Sequence, residues 1–435
     1  MTKPLFRLAF AGACLGISGL IPAVPSYERD PINYSDAVPE TPVTRIANRI
    51  EQGEDLLTGE SDREILGKFL TLLDIPVESQ TLVYSQTSAQ PNGITPETPR
   101  AVYFSDNAYV GWVRGGNIEI TSFDRKLGAV FHMIHLDIRK PGHQPDIIRH
   151  TSCLDCHGGT RTRGYPGLVA RSVYPSESGR PLLQAGTFDV DHSTPIANRW
   201  GGWFVTGDTG DHSHLGNLVA AENEDHEVTF KKVTAEPIHD LGELIDCTPY
   251  PGGGSSDVVA LMILEHQISA QNAMVRANLI TRQTLHRHRE MRKALREPED
   301  SPLDDSYQNI LDGQAEKVVR ELLFTDEFIM ESGGPEGADS FQNAFSLNAR
   351  RNGEGRSLKD LRLYERLFKY RCSYTIYSEP FRHLPHEIKS RILQRLRSIL
   401  TAESAPEDYA YLSDSERERI NEILRDTLPA YKTGS

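Results

Sequence analysis

Apolar residues between positions 101 and 137 come in short β-branched and aromatic runs: Val102-Tyr103-Phe104, Ala108 to Val113, Ile118-Glu119-Ile120 and Ala129 to His135. Asp106-Asn107, Gly115-Gly116 and Lys126-Leu127-Gly128 separate them. Strand-length runs divided by turn residues predict an antiparallel meander. If the last run is a regular strand, His132 and His135 fall on opposite faces and cannot line one pocket. Beyond Pro249-Tyr250-Pro251-Gly252-Gly253-Gly254 the apolar period lengthens to that of a helix. Val259, Met262, Ile263, His266, Ala270, Ala273, Met274, Ala277 and Ile280 share one face. They predict one long helix, capped by Ser255, Ser256 or Asp257 and stopped by Pro298. Further helices are predicted over 307–330, 358–370, 386–400 and 414–426, the last preceded by Ser413-Asp414-Ser415-Glu416 in capping-box form. Ahead of the meander, 41–73 has the spacing of one or two short helices and 81–84 that of a strand. More strands are expected over 182–207, around Gly186 and the Arg199 to Gly207 stretch. The pattern is α+β: a leader (1–23), short helices and a linker (24–100), a β-rich region (101–254) and a helical region (255–435).

The chemistry concentrates at one point of the β-rich region, Cys153-Leu154-Asp155-Cys156-His157. This C-x-x-C-H is the attachment signature of a c-type haem. Two thiols at this spacing form thioethers to both vinyl groups of one macrocycle, and the next imidazole reaches the iron as proximal ligand. The same thiol spacing serves redox dithiols and half zinc sites, but no second C-x-x-C or C-x-x-H completes a zinc site. The expected cofactor is one covalent haem c on Cys153, Cys156 and His157. Gly158, Gly159, Gly164, Pro166 and Gly167 follow, so the motif sits on a glycine-rich connector rather than a long helix. His266, on the small-residue stripe of the long helix, is the candidate distal iron ligand, with Met262, His212 and His214 as alternatives. The competing reading of His266 is a core histidine satisfied by hydrogen bonds. Arg161, Arg163 and Arg171 are candidates for pairing with haem propionates, against solvated surface charge. Trp112, Trp200 and Trp203 all fall in this region and read first as core.

The N-terminus reads as a secretory signal: Lys3 and Arg7, an uncharged and largely apolar run from Leu8 to Val24, and a cleavage site after Ala23. Gly12, Gly16, Gly19 and Pro22 argue against a membrane span, and the lipoprotein alternative at Cys14 lacks the preceding leucine. The mature chain is expected to be soluble and periplasmic or otherwise exported, without a lipid anchor. Loss of Lys3 and Arg7 takes the formal charge from -14 to -16. An acidic chain disfavours nucleic acid and favours basic redox partner proteins. Cys247 and Cys372 either pair in an oxidising compartment or remain as buried thiols. No phosphate-cradling loop or nucleophile elbow is found.

Ser152 to His157, Gly167-Leu168-Val169-Ala170-Arg171-Ser172-Val173-Tyr174-Pro175, Tyr103 to Val113, Ala185 to Phe188 with Asp191-His192, Arg199 to Gly207, Val258 to Asn272 with Glu265-His266-Gln267, and Ser378 to Phe381 carry a resemblance. In these stretches, which span most of the mature chain, it resembles a family of exported cytochrome c domain proteins associated with planctomycete-like bacteria. The resemblance implies covalent haem and a redox role through Cys153, Cys156 and His157, and supplies no substrate. Leu215 stands where that family tends to carry methionine, which leaves His214 or His266 as ligand. The expected function is electron transfer. A haem enzyme of peroxidase or oxidase type and a haem-based sensor or partner-binding module are the alternatives. The single motif excludes a di-haem peroxidase.

Overall fold

The computed structural model describes residues 24–136, 138, 143–223, 228–232, 237–299, 301–331 and 333–433. The expectations for the signal segment and Cys14 lie outside them.

Six strands form one antiparallel sheet in chain order: β1 (Thr81–Val83), β2 (Arg100–Phe104), β3 (Ala108–Trp112), β4 (Ile118–Asp124), β5 (Gly128–Ile134) and β6 (Ile147–Arg149). Alternation divides β2 between two cores, Ala101 and Tyr103 on one side and Val102 and Phe104 on the other. The first core is closed by α1 (Pro42–Glu51) and α2 (Asp62–Leu72), through Val43, Ile46, Ile65 and Phe69. Thr41 caps α1 in a reciprocal box with Thr44, and the Ser61 hydroxyl caps α2 by accepting from Glu64 N–H. With both faces covered, β3 and β5 are buried along their whole length, so polar alternation is missing from the sequence.

The next elements are short: α3 (Leu154–His157), the pair β7 (Arg171–Val173) and β8 (Thr187–Asp189), and the pair β9 (Leu218–Glu222) and β10 (Val228–Lys232). The second core is organised by α4 (Val258–Leu295). Of the three candidate caps, Asp257 is the one used: one carboxylate oxygen accepts from Val259 and Ala260 N–H, and the other from Ala338 N–H. Arg296 ends the helix in the left-handed conformation, with φ of 58°. From Val258 to Ile268 the helix is buried on every side, between the sheet and the later helices. These are α5 (Asp305–Leu322), α6 (Asp339–Ser346), α7 (Glu379–Arg382), α8 (His386–Leu400), α9 (Asp414–Thr427) and α10 (Pro429–Thr433). Among the described residues no helix is long and apolar enough to cross a membrane.

Three local expectations fail for identifiable reasons. Residues 358–370 form no helix: Arg362 and Leu363 N–H bond back to Leu367 and Arg366 carbonyls around a tight reversal, with Leu363 at φ of 55°. Helical spacing there came from Leu358, Leu367 and Phe368, which reach the core from the two sides of that turn. The helix expected to 330 stops at Leu322, because Phe324 and Asp326 adopt φ of 56° and 64°. Residues 199–207 form no strand: they carry the isolated bridges Val83↔Trp203 and Thr206↔Asp257, and Gly201 and Gly202 carbonyls accept from Val173 N–H and from Tyr84 and Ser85 N–H. Cys247 and Cys372 are both free thiols, packed against different cores, so the pairing alternative is not realised.

Behind the Phe324 turn, burial pushes the Glu327 carboxyl up to about 7, against the pull of Arg366 and Arg371, and its Oε2 has no hydrogen-bond partner. A folded value above the ordinary 4.5 makes the contribution complete below that pH, and it is lost as pH rises through about 7. Glu327→Gln is therefore expected to gain stability relative to the parent between pH 5 and 8, by up to roughly 3 kcal/mol. Chemical denaturation at the two pH values measures this, and a difference independent of pH would refute it.

Candidate functional site

The C-x-x-C-H segment hangs from the last strand of the sheet. His150 N–H donates to Phe131 O, and a 3₁₀ turn (Thr151–Cys153) runs directly into α3. One turn of helix suffices to put Cys153 and Cys156 on one side, since i and i+3 are neighbours. The segment is fixed from the N-terminal side as well. Arg149 donates to Ala37 and Tyr34 carbonyls and stacks on the Tyr34 ring, while Tyr34 O–H donates to Ala129 O. Gly158 is required by close approach: a Cβ there would lie 2.5 Å from the Tyr27 hydroxyl.

The glycine-rich connector is a folded loop. Gly167 N–H and the Thr162 hydroxyl both donate to His157 O. Asn272 on α4 clamps Leu168, accepting from its N–H at 2.9 Å and donating to its carbonyl at 2.8 Å. That clamp aims Gly167 O at His157 Nδ1, 2.9 Å away. A carbonyl can only accept, so Nδ1 carries the proton and the lone pair of the neutral ring belongs to Nε2. Burial holds the imidazole below its usual pKa, partly opposed by the Gly167 bond, so the ring is neutral near pH 7. Among the described residues Nε2 makes no hydrogen bond, and Phe131 packs against the ring with centroids 5.0 Å apart.

Both thiols are free, Cys156 exposed and Cys153 half-buried. Burial, with smaller effects from Glu119 and Cys156, pushes the Cys153 thiol up to about 11. Near it, Arg100 binds Glu119 at 2.6 Å, with Ser88 and Gln90 also donating. Burial alone would raise Glu119, but these partners hold it below the usual carboxylate range. Two free thiols, one exposed and one half-buried, and an imidazole with a fixed tautomer and an available Nε2 fit the attachment and proximal ligation of one haem. No cluster of three or more His, Cys, Asp or Glu side chains placed for a separate metal ion occurs among the described residues.

The candidate distal ligands lie elsewhere, and none makes a hydrogen bond or ring contact with His157. His212 Nε2 is 3.1 Å from Gly333 O. His214 packs against Trp200, its Nδ1 is buried and without a partner, and burial pushes its imidazole down to about 4. Met262 is in the apolar core. His266 is fully buried, stacked on Phe324 at 4.0 Å. His192 Nε2 donates to Thr325 O, so in a neutral His192 the Nδ1 atom accepts. His266 Nδ1–H then donates to it at 3.3 Å, and His266 Nε2 accepts from the Ser373 hydroxyl at 2.7 Å. Both nitrogens of His266 are thus committed to the core. Of the arginines, Arg161 is paired with Asp189, and Arg171 reaches Thr187 at 3.4 Å. His132 is a buried sheet histidine, pushed down to about 4 chiefly by burial, while His135, just past the strand, meets His150 at 3.1 Å.

What the sequence reading passed over is that His266 belongs to a polar trio. Successive helical residues point about 100° apart, so Glu265, His266 and Gln267 reach three separate partners. Glu265 pairs with Arg199, His266 joins His192 and Ser373, and Gln267 donates to Ser105 O and the Tyr109 hydroxyl while accepting from Tyr374. Three adjacent polar residues inside an apolar helix were the signal. Comparison of the chain with models of protein families, with curated proteins and with solved structures finds no match.

Proposed function

We propose that this protein is an exported cytochrome that carries one haem covalently on Cys153 and Cys156, with His157 as the iron ligand, and acts in electron transfer. The observation that carries this is the His157 Nδ1–H bond to Gly167 O, which leaves Nε2 without a hydrogen bond beside two free thiols. When bound, haem supplies a one-electron couple that needs no acid or base from the protein. The chain holds and orients it. The thiols fix its position, the Asn272 clamp keeps Gly167 O against Nδ1, and Phe131 shields one side of the imidazole from water. This reading asks nothing of His266. A formal charge of -14, or -16 once Lys3 and Arg7 leave with the leader, favours a basic protein as the redox partner.

The test is expression of the full chain in a host with haem-attachment machinery. About one haem per chain should survive denaturation, and it should cycle reversibly between oxidation states with a spectrum insensitive to carbon monoxide. A chain recovered with a Cys153–Cys156 disulfide and no haem would remove the attachment. A haem that binds carbon monoxide and turns over peroxide would remove electron transfer as the sole role.

A further inference from the structure

Behind the connector loop lies an open cavity of about 530 Å³, bounded by residues 160–163 and 168–170, β8, α4 and α5. Five cationic side chains line it against three carboxylates, the reverse of the balance of the whole chain. Some of that charge is neutralised: Asp189 holds Arg161 at 2.5 Å, and Asp326 holds Arg320 at 2.9 Å. Glu321 accepts from the Ser269 hydroxyl and lies 3.8 Å from His192, and Asp191 accepts from Ser193. Arg163, Arg276 and Lys317 remain, and among the described residues none of them has a carboxylate within ion-pair distance. Arg276 also buries its Nε–H without a hydrogen-bond partner. They come from three elements, the connector loop, α4 and α5, and face one another across the same space. Burial, then mutual repulsion, holds Arg276 and Lys317 below their usual pKa.

The three cations repel one another, a cost screened by water at the exposed Arg163 and Lys317, and the buried Nε–H of Arg276 left unpaired adds to it. An anion in the cavity offsets both. Leu168, Ala170, Val190 and Ile268 also line the cavity and offer apolar surface to a carbon skeleton. The volume falls within the roughly 300–1,000 Å³ of small-molecule sites. We propose that this cavity binds a small organic polyanion, its carboxylate or phosphate oxygens held by Arg163, Arg276 and Lys317. This goes beyond the electron-transfer reading and does not depend on it.

Isothermal titration of the full chain as purified with citrate and with pyrophosphate, at ionic strength matched by chloride, tests it. One saturable site is expected for at least one of the two. Arg276→Gln or Lys317→Gln should weaken it by about ten-fold, the scale of one charge-assisted hydrogen bond. Lys317 is exposed, so its variant keeps the test valid if Arg276→Gln folds poorly. Lys68→Gln, a surface change on α2 remote from the cavity, should leave the affinity unchanged. No saturable binding of either probe, or an equal loss in Lys68→Gln, overturns the proposal. So does binding to the haem-free Cys153→Ala/Cys156→Ala chain that disappears in the haem-loaded one, because haem propionates would then fill the site.

Discussion

The Cys153→Ala/Cys156→Ala double variant should carry no haem through denaturation, where the parent keeps about one per chain. The expectation follows from how the thiols are placed. A single turn of helix presents both on one side of α3, and neither is committed to a disulfide. Each single variant retains one thioether and is expected to attach haem in lower yield. The fold should survive the change: Cys156 is exposed, Cys153 is half-buried, and the segment is anchored by backbone bonds at His150 and by the Asn272 clamp. Circular dichroism should therefore match the parent, while mass spectrometry under denaturing conditions reads the loss of haem mass. A double variant that still carries haem would mean that the thiols are not the attachment points. His157→Ala separates the second role, since the thioethers should persist while the proximal bond and its spectrum are lost.

How far the sequence could be read depended on how local each signal was. The meander was legible because its turns are local, and the long helix because its apolar period and its cap are local. The capping box at Ser413 was half right: the hydroxyl accepts from Glu416 N–H, but the Glu416 carboxylate turns to Arg371 and Arg366. That tertiary pair was invisible because it joins residues about 45 and 50 positions apart. The same limit applied to 358–370, where inward residues on both arms of a turn imitated a helical stripe.

At the candidate site, residue types were legible and partners were not. Cys153, Cys156 and His157 stand out by spacing alone. The atom that orients His157 is a backbone carbonyl, fixed by an asparagine more than a hundred residues away, and no pattern announces either. His266 shows the reverse error. An imidazole on a small-residue stripe resembles a ligand in sequence, but its environment is decided by His192, Ser373 and Phe324, all distant in the chain.

Arg199→Leu should destabilise the fold by about 3–5 kcal/mol, the range for breaking a buried ion pair from one side. Arg199 is 2 % exposed and lies 3.1 Å from Glu265, and it also donates to the Thr194 and His192 carbonyls. Burial already pushes Glu265 up to about 7 with the guanidinium beside it. Without that charge its pKa rises further, so the variant should lose more stability at pH 8 than at pH 5, where the carboxyl is protonated. Arg199→Leu/Glu265→Leu removes the stranded charge and should recover part of the loss, leaving the two carbonyls as the residual cost. Denaturant midpoints of the parent, both single variants and the double form the cycle. A single-variant loss below about 1 kcal/mol, or a double variant worse than the sum of the singles, would mean that the pair is not a buried countercharge. The pair has this leverage because it ties the 192–199 loop to α4 one residue from His266, so its loss also loosens the carbonyl and imidazole partners that hold the polar trio in place.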